Sequence, residues 1–414
     1  MLAANVHISI LMFRVRVTCP GCEGARSYIG MAKGSFACAP EWQRRAVAML
    51  TGISQYFFLF LLLGVYLLSA GKGLGMLFYG QKLCLPQWSA VAAIILLPFA
   101  GTAREMGAYQ SLVWANVITL CGTVLIPLVY YVVAGTGAID LTGARWYAIA
   151  PLTATGVLSA LSTFTFGMTS QFMLTEIMSE MKDVRELPKA YVRISAPFQL
   201  VAFMVAGLGG YLFMGSLSAG MLNENLPFGA PFQVAAACLV VHMLISYLIK
   251  GVVFSTAILR RAAPDFASPD DRRKRSLAAW NGVVISCLLA AWLLANLVPF
   301  FGDFVDLLGA SFTPLSCWVV PILMFLRCVH DQRGSERRPK VHFLEWVLIA
   351  LELVLAFVLM VMGTYSSVRK IAEHWHQYGA PFACHCEGIW PTCACSAGHV
   401  GMDWCEAVAV NATL

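Results

Sequence analysis

The sequence is poor in charge. Asp, Glu, Lys and Arg together make up 12% of its 414 residues, too few to coat a soluble domain of this length. Soluble α/β folds are also excluded because their apolar runs stop after about 4–8 residues. Here the runs repeatedly reach the roughly 20 residues that a helix needs to cross hydrocarbon. The chain has no low-complexity tract and no soluble catalytic domain. Its apolar segments hold no paired carboxylates, nucleophile motif or histidine cluster at reactive spacing, so it is not expected to be an enzyme. The net charge of +6 comes without an aromatic–basic motif, so nucleic acid is not an expected partner and no metal site is expected within the spans. No cleavable signal peptide is expected, since the short apolar run in Met1–Val17 is broken by His7, Arg14 and Arg16.

What is present is 59% hydrophobic with a mean hydropathy of +0.72, which makes this an all-α polytopic membrane protein whose partner is the lipid bilayer. Nine spans are expected, at about 46–69, 87–100, 111–134, 151–178, 191–215, 229–257, 277–299, 304–326 and 343–365, the second short enough to merge with its neighbour. Lys and Arg number 22 in the N-terminal stretch and loops 101–110, 179–193, 258–276 and 327–342. They number 5 in the opposite set, with Lys250 inside a span as the last of 28. That bias places the N-terminus in the cytoplasm and the C-terminus outside; the run Arg272–Arg275 is read as topology-fixing rather than lipid-binding. Three regions follow: a cytoplasmic tail at 1–45, a transmembrane domain at 46–366 and a Cys-rich extracytoplasmic tail at 367–414.

One stretch departs from plain hydrophobicity, FTFGMTSQFMLTEIMSEMKDVRELPKA, Phe164 to Ala190. An apolar segment is interrupted at Gly167, Thr169, Ser170 and Gln171, turns apolar again around Glu176, and leaves through a charged turn. Polar residues of this kind are costly in hydrocarbon unless a discontinuous helix lines a water-filled site. Freed amides favour a carboxylate and freed carbonyls an ammonium or metal ion, a combination suited to a zwitterionic amino acid. The candidate substrate-binding residues are Phe164, Phe166, Gly167, Met168, Thr169 and Ser170. The competing reading is a structurally kinked helix whose hydroxyls bond their own turn.

Several other residues invite a role. Glu176 is either a proton-coupling or gating acid or a residue at the cytoplasmic interface. His242, Ser246 and Lys250, four apart, share one helix face and complete the coupling and gating candidates, although Lys250 also suits snorkelling. Glu345 and Glu352 share a face of the last span. Glu352 lies deep enough to need a partner, with Lys250 one option, and Asp303 is read as a helix cap. Cys19-Pro20-Gly21-Cys22 standing alone is a weak signal for metal or redox work. In the tail, Cys384, Cys386, Cys393, Cys395 and Cys405 with His385 and His399 are open to disulfides, metal or no structure. Asn411-Ala412-Thr413 is a glycosylation sequon.

The Phe164–Ala190 stretch resembles the sixth transmembrane segment and following loop of the amino acid/auxin permease family: an aromatic-small break, a Glu-bearing helix and a Pro-Lys-Ala exit. VPFFGDFVDLLGASFTPLSCWVVPILMFLR at 298–327 resembles the family's ninth-to-tenth hairpin. VHMLISYLIKGVVFSTAILRR at 241–261 is similar to the eighth segment of its plant members, covering His242, Ser246 and Tyr247 but not Lys250. The resemblance spans about 27 to 366. It implies the inverted-repeat (5+5 type) secondary-transporter fold of the amino acid–polyamine–cation superfamily, with the nine spans as segments three to eleven. It also implies amino acid transport by alternating access, with no cofactor and H+, or less often Na+, as coupling ion. The first two family segments, including the broken first helix that completes the site, have no counterpart among the expected spans. Either the start of the chain is incomplete or the scaffold serves a non-transporting membrane sensor or interaction protein.

Overall fold

In the computed structural model, residues 1–374, 381 and 382 are described, apart from 80, 82, 138, 140, 149–151, 219, 269, 270, 272, 298–300 and 337. Among them every regular element is helical: α1 (Leu2–Thr18), α2 (Tyr28–Ser35), α3 (Glu41–Leu77), α4 (Leu85–Thr102), α5 (Gln110–Ala134), α6 (Ala154–Met168), α7 (Leu174–Glu180), α8 (Leu187–Ala190), α9 (Ala196–Met214), α10 (Ala230–Ala262), α11 (Lys274–Leu297), α12 (Phe301–Ala310), α13 (Phe312–Pro314), α14 (Val320–Asp331), α15 (Phe343–Val358) and α16 (Thr364–His374).

Eight helical stretches among the described residues are long and apolar enough to cross a membrane. They correspond to eight of the nine expected spans; the short second one is a separate helix, α4. The ninth, at 151–178, comes as two pieces, α6 of 15 residues and α7 of seven, neither long enough to cross alone. Helix ends follow local chemistry. Ser27 caps α2 and Thr153 caps α6 through side-chain bonds from Gly30 N and Gly156 N. At the close of α5 stands Gly135 with φ 72°, and α10 ends on Arg260 and Arg261, cations suited to a helix C-terminus.

The stretch 1–45 is not simply a tail. Residues 2–18 form α1, which buries Ile8, Leu11, Met12 and Val15 and packs against α14. Asn5, His7 and Arg14 break its apolar pattern in the sequence, but each has a polar partner on another helix. At the other end α16 already covers the first residues of the expected 367–414 tail. The tail cysteines, their neighbouring histidines and the sequon lie outside the described residues.

The chain divides into two compact units. The first comprises Met1–Phe58, Pro151–Val201 and Asp303–Ala372. In it α12 meets α6 closely at Gly309, where a Cβ would come 2.0 Å from the Ser162 carbonyl oxygen. Asp306 of α12 accepts from Ser159 and Thr163 of α6, and Lys370 of α16 pairs with Asp303 at 2.8 Å. Asp303 is thus an ion-pair partner, beyond the capping role read from the sequence.

The second unit comprises Leu59–Ala150, Ala202–Gly302 and the residues from Glu373 on. Its core gathers Trp88, Tyr109, Tyr247 and Trp280 with leucines and valines of α3, α4, α10 and α11. A second cluster around Tyr131, Met214 and Phe232 takes in Tyr79 and Phe228, whose rings stack at 4.3 Å. The outer face of α5 leaves Trp114 and Val133 more than 70% exposed, the pattern of a helix facing lipid rather than water.

Candidate functional site

The break sits where the sequence places it. α6 stops at Met168; Thr169 is extended (φ −92°, ψ 136°), Ser170 is non-helical (φ −137°, ψ 1°), and a 3-10 turn at Gln171–Met173 leads into α7. Such a break frees backbone groups that must be paired.

On the buried side they are paired by side chains of α1 and α3. Asn5 Nδ2 donates to the Met168 carbonyl, and Gln55 Nε2 donates to the Phe172 carbonyl at 2.7 Å. Gln171 Oε1 accepts from Ser170 N at 3.0 Å, while its Nε2 donates to Asn5 O, Asn5 Oδ1 and Ser9 Oγ at 2.9–3.1 Å. Asn5, Ser9, Gln55 and Gln171 are at most 1% exposed. Phe58 adds an edge-to-face contact with Phe172 at 4.8 Å and a longer one with Phe166. The break is therefore built into the packing rather than being a local irregularity.

The opposite side is open. Phe164 and Gly167 are exposed, and Phe166, Thr169 and Ser170 are half-buried, whereas Met168 is buried. Thr169 Oγ1 donates to the Phe166 carbonyl at 3.3 Å, and the Ser170 hydroxyl lies 3.4 Å from that of Tyr191. The back-bonding of Thr169 is the feature the kinked-helix reading anticipated; it accounts for one carbonyl of the break. The arrangement offers a short non-helical strand of backbone, held rigidly from behind, with small and hydroxylated residues in front.

One turn beyond, the Glu176 side chain is buried and its Oε1 accepts from Gln55 Nε2 at 3.0 Å and from Tyr28 N at 3.1 Å. Its Oε2 has no hydrogen-bond partner. The Tyr28 hydroxyl in turn donates to Ser316 O at 2.6 Å, within a π-turn at Leu315–Val319 that packs on the Gln171–Met173 turn. A π-turn loosens the regular ladder, leaves carbonyls available and recurs at functional sites. Gln55 thus ties the break to Glu176, and Tyr28 ties Glu176 to the π-turn.

The remaining candidates are placed elsewhere. His242, Ser246 and Lys250 belong to α10 in the second unit. His242 Nδ1 lies 3.2 Å from the Asn116 carbonyl, Ser246 is buried, and Lys250 Nζ lies 4.9 Å from the centre of the Tyr66 ring, a cation–π contact. Glu352 does not pair with Lys250: its partner is His7 at 2.8 Å, and Glu345 is held by Arg14. These partners stand on a helix that the sequence pattern left as tail. Gln55, a single polar residue in a long apolar run with no motif around it, gives no signal in the sequence. Cys19 and Cys22 flank a 3-10 turn at Pro20–Cys22 that packs on α2; a Cβ on Gly21 would meet Gly34 O at 2.5 Å. Both thiols are free, and no metal-holding group of three or more His, Cys, Asp or Glu occurs among the described residues.

The family described as "Transmembrane amino acid transporter protein" matches residues 14–367. The N amino acid transport system protein of Neurospora crassa is 23% identical over 318 residues, 74% of this chain and 65% of its own length. Amino acid transporter AVT3C of Arabidopsis thaliana is 27% identical over 200 residues, 48% of this chain and 41% of that protein. Amino acid permease 2 of the same plant is 24% identical over 237 residues, 51% and 45% of the two chains. The matches thus span about two-fifths to two-thirds of these relatives' lengths.

Proposed function

The chain belongs to the transmembrane amino acid transporter protein family, and from that premise we propose that it carries amino acids across a membrane by alternating access. The observation that carries the reading is the break at 168–171, braced by Asn5, Gln55 and Gln171 on one side and open at Gly167, Thr169 and Ser170 on the other. An amino acid backbone is an ammonium and a carboxylate about two bonds apart. Amides and carbonyls released from the regular ladder at a broken helix recognise both without a buried counter-charge. Phe164 and Phe166 would meet the apolar part of the substrate. The names of the fungal and plant relatives, each an amino acid transporter or permease, support the same substrate class.

Coupling is assigned to H+, with Na+ as the alternative. Glu176 is our choice of coupling acid, supported by its burial, its single bonded oxygen and its separation from the break by a single turn. His242, Ser246 and Lys250 stay as secondary candidates on α10. The basic loops are assigned to the cytoplasm.

The test is ligand-induced stabilisation of the purified chain. One or more of the common amino acids is expected to raise the melting temperature in detergent, and Gly167→Leu, which fills the open side, is expected to abolish the rise without lowering the ligand-free value. A panel that leaves the wild type unmoved contradicts the proposal.

A further inference from the structure

In the first unit, α1 and α15 enclose an ionisable cluster that the proposed substrate site does not use. His7 Nδ1 lies 2.8 Å from Glu352 Oε1, and His7 Nε2 lies 3.8 Å from Glu345 Oε1. Two turns along α1, Arg14 binds Glu345 and also donates to the Lys340 carbonyl at 2.5 Å. The Glu352 side chain is 6% exposed, that of Glu345 15% and that of His7 18%. His7 Nε2 and Glu352 Oε2 are buried without a hydrogen-bond partner.

Charge balance decides what such a cluster needs. Two carboxylates face one guanidinium, leaving a net negative charge in a segment where uncompensated charge is expensive. Other charged groups on elements packed against α1 are engaged elsewhere. On α14, Arg327 and His330 pair with Asp331. On α7, Glu176 is bonded to Gln55 and Tyr28. Lys189 of α8 pairs with Glu186. On α1 itself Arg16 donates to the Cys22 carbonyl. The imidazole is the one group in the cluster whose protonation supplies the missing positive charge. Protonated, it has a donor for each carboxylate; neutral, it has a donor for only one.

We propose that His7, Glu345 and Glu352 form a proton-binding site that fastens α1 to α15 when loaded and loosens the contact when empty. The bound ligand is a single proton, held on the imidazole between the two carboxylates. The site rests on the transport reading for its consequence, which is to make transport respond to pH through α1, the helix whose Asn5 and Ser9 brace the break.

The experiment has two arms. In the first, the melting temperature of the purified full chain is followed from pH 5 to pH 8. Because the protonated imidazole is the better partner, stability is expected to fall as pH rises, and His7→Gln and Glu352→Gln are each expected to lose most of that fall. The double variant is expected to lose no more than either single one. A fall that both single variants keep overturns the site. Should Glu352→Gln not fold, Glu345→Gln leaves the 2.8 Å pair intact, and it is expected to move the fall to lower pH by roughly half a unit or more, since it removes a nearby negative charge; an unmoved midpoint overturns the site. In the second arm, labelled amino acid uptake is measured against pH. A profile unchanged in a variant that has lost the melting response overturns the link to transport. Absence of uptake by the wild type at every pH instead removes the transport reading, and the first arm alone then decides on the proton site.

Discussion

Gln55→Leu is the substitution with the most to reveal, because Gln55 joins the two halves of the candidate site. Its Nε2 donates to both the Phe172 carbonyl and Glu176 Oε1, at 2.7 and 3.0 Å, and the residue is fully buried. Leucine matches the volume but leaves the Phe172 carbonyl without its donor and Glu176 with the Tyr28 amide alone. An orphaned buried acceptor costs about 1–3 kcal/mol, more for a charged group. Interhelical hydrogen bonds in membrane proteins average nearer 0.6 kcal/mol. Weighing the two, the single change is expected to cost roughly 2–4 kcal/mol. Glu176→Leu removes the acceptor instead and orphans the Tyr28 amide. In the double variant the pair is replaced by apolar groups, so the losses do not add, and a coupling energy of about 1–2 kcal/mol is expected. Unfolding of the four proteins in mixed detergent and denaturant measures it. A coupling below about 0.5 kcal/mol, within the additivity expected of independent sites, refutes the claim that Gln55 and Glu176 act as one unit.

Other predictions follow from single contacts. Gly309→Ala forces a methyl against the Ser162 backbone, with only 2.0 Å to the carbonyl oxygen, and is expected to destabilise by about 1–3 kcal/mol or more, read as a lowered melting temperature; an unchanged value contradicts the close approach of α12 to α6. Asp306→Asn weakens the bonds from Ser159 and Thr163 and the 3.4 Å contact with Lys370, and a measurably faster proteolysis of the α6–α12 region is expected, equal rates arguing otherwise. For orientation, a membrane-impermeant maleimide added to intact cells is expected to label Thr136→Cys and not Ser335→Cys, the reverse pattern overturning the assignment of the basic loops to the cytoplasm.

Much of the architecture is written in hydrophobicity. Runs of the right length predicted nine spans, eight of which are helices long and apolar enough to cross a membrane, and Gly167, Thr169, Ser170 and Gln171 marked the break between α6 and α7, because each of these signals is local. What escaped was set by partners distant in the chain. α1 reads as a polar tail since Asn5, His7 and Arg14 interrupt it, yet those residues face Met168 O, Glu352 and Glu345. The depth of Glu352 in its span calls for a partner; the sequence offers Lys250 of α10, and the fold supplies His7. Gln55 carries no flag beyond being a lone amide among leucines and phenylalanines; only its placement beside Phe172 and Glu176 gives it meaning. Asp303, in a turn rich in capping signals, finds Lys370 far along the sequence.

The most direct measurement of the central claim is uptake of labelled amino acids by the purified chain in proteoliposomes, with and without an inwardly directed proton gradient. Accumulation that depends on the gradient, collapses with a protonophore and is lost in Gly167→Leu is the result predicted. Uptake equal to that of protein-free vesicles under every gradient, by a chain that is folded in the bilayer, would contradict it.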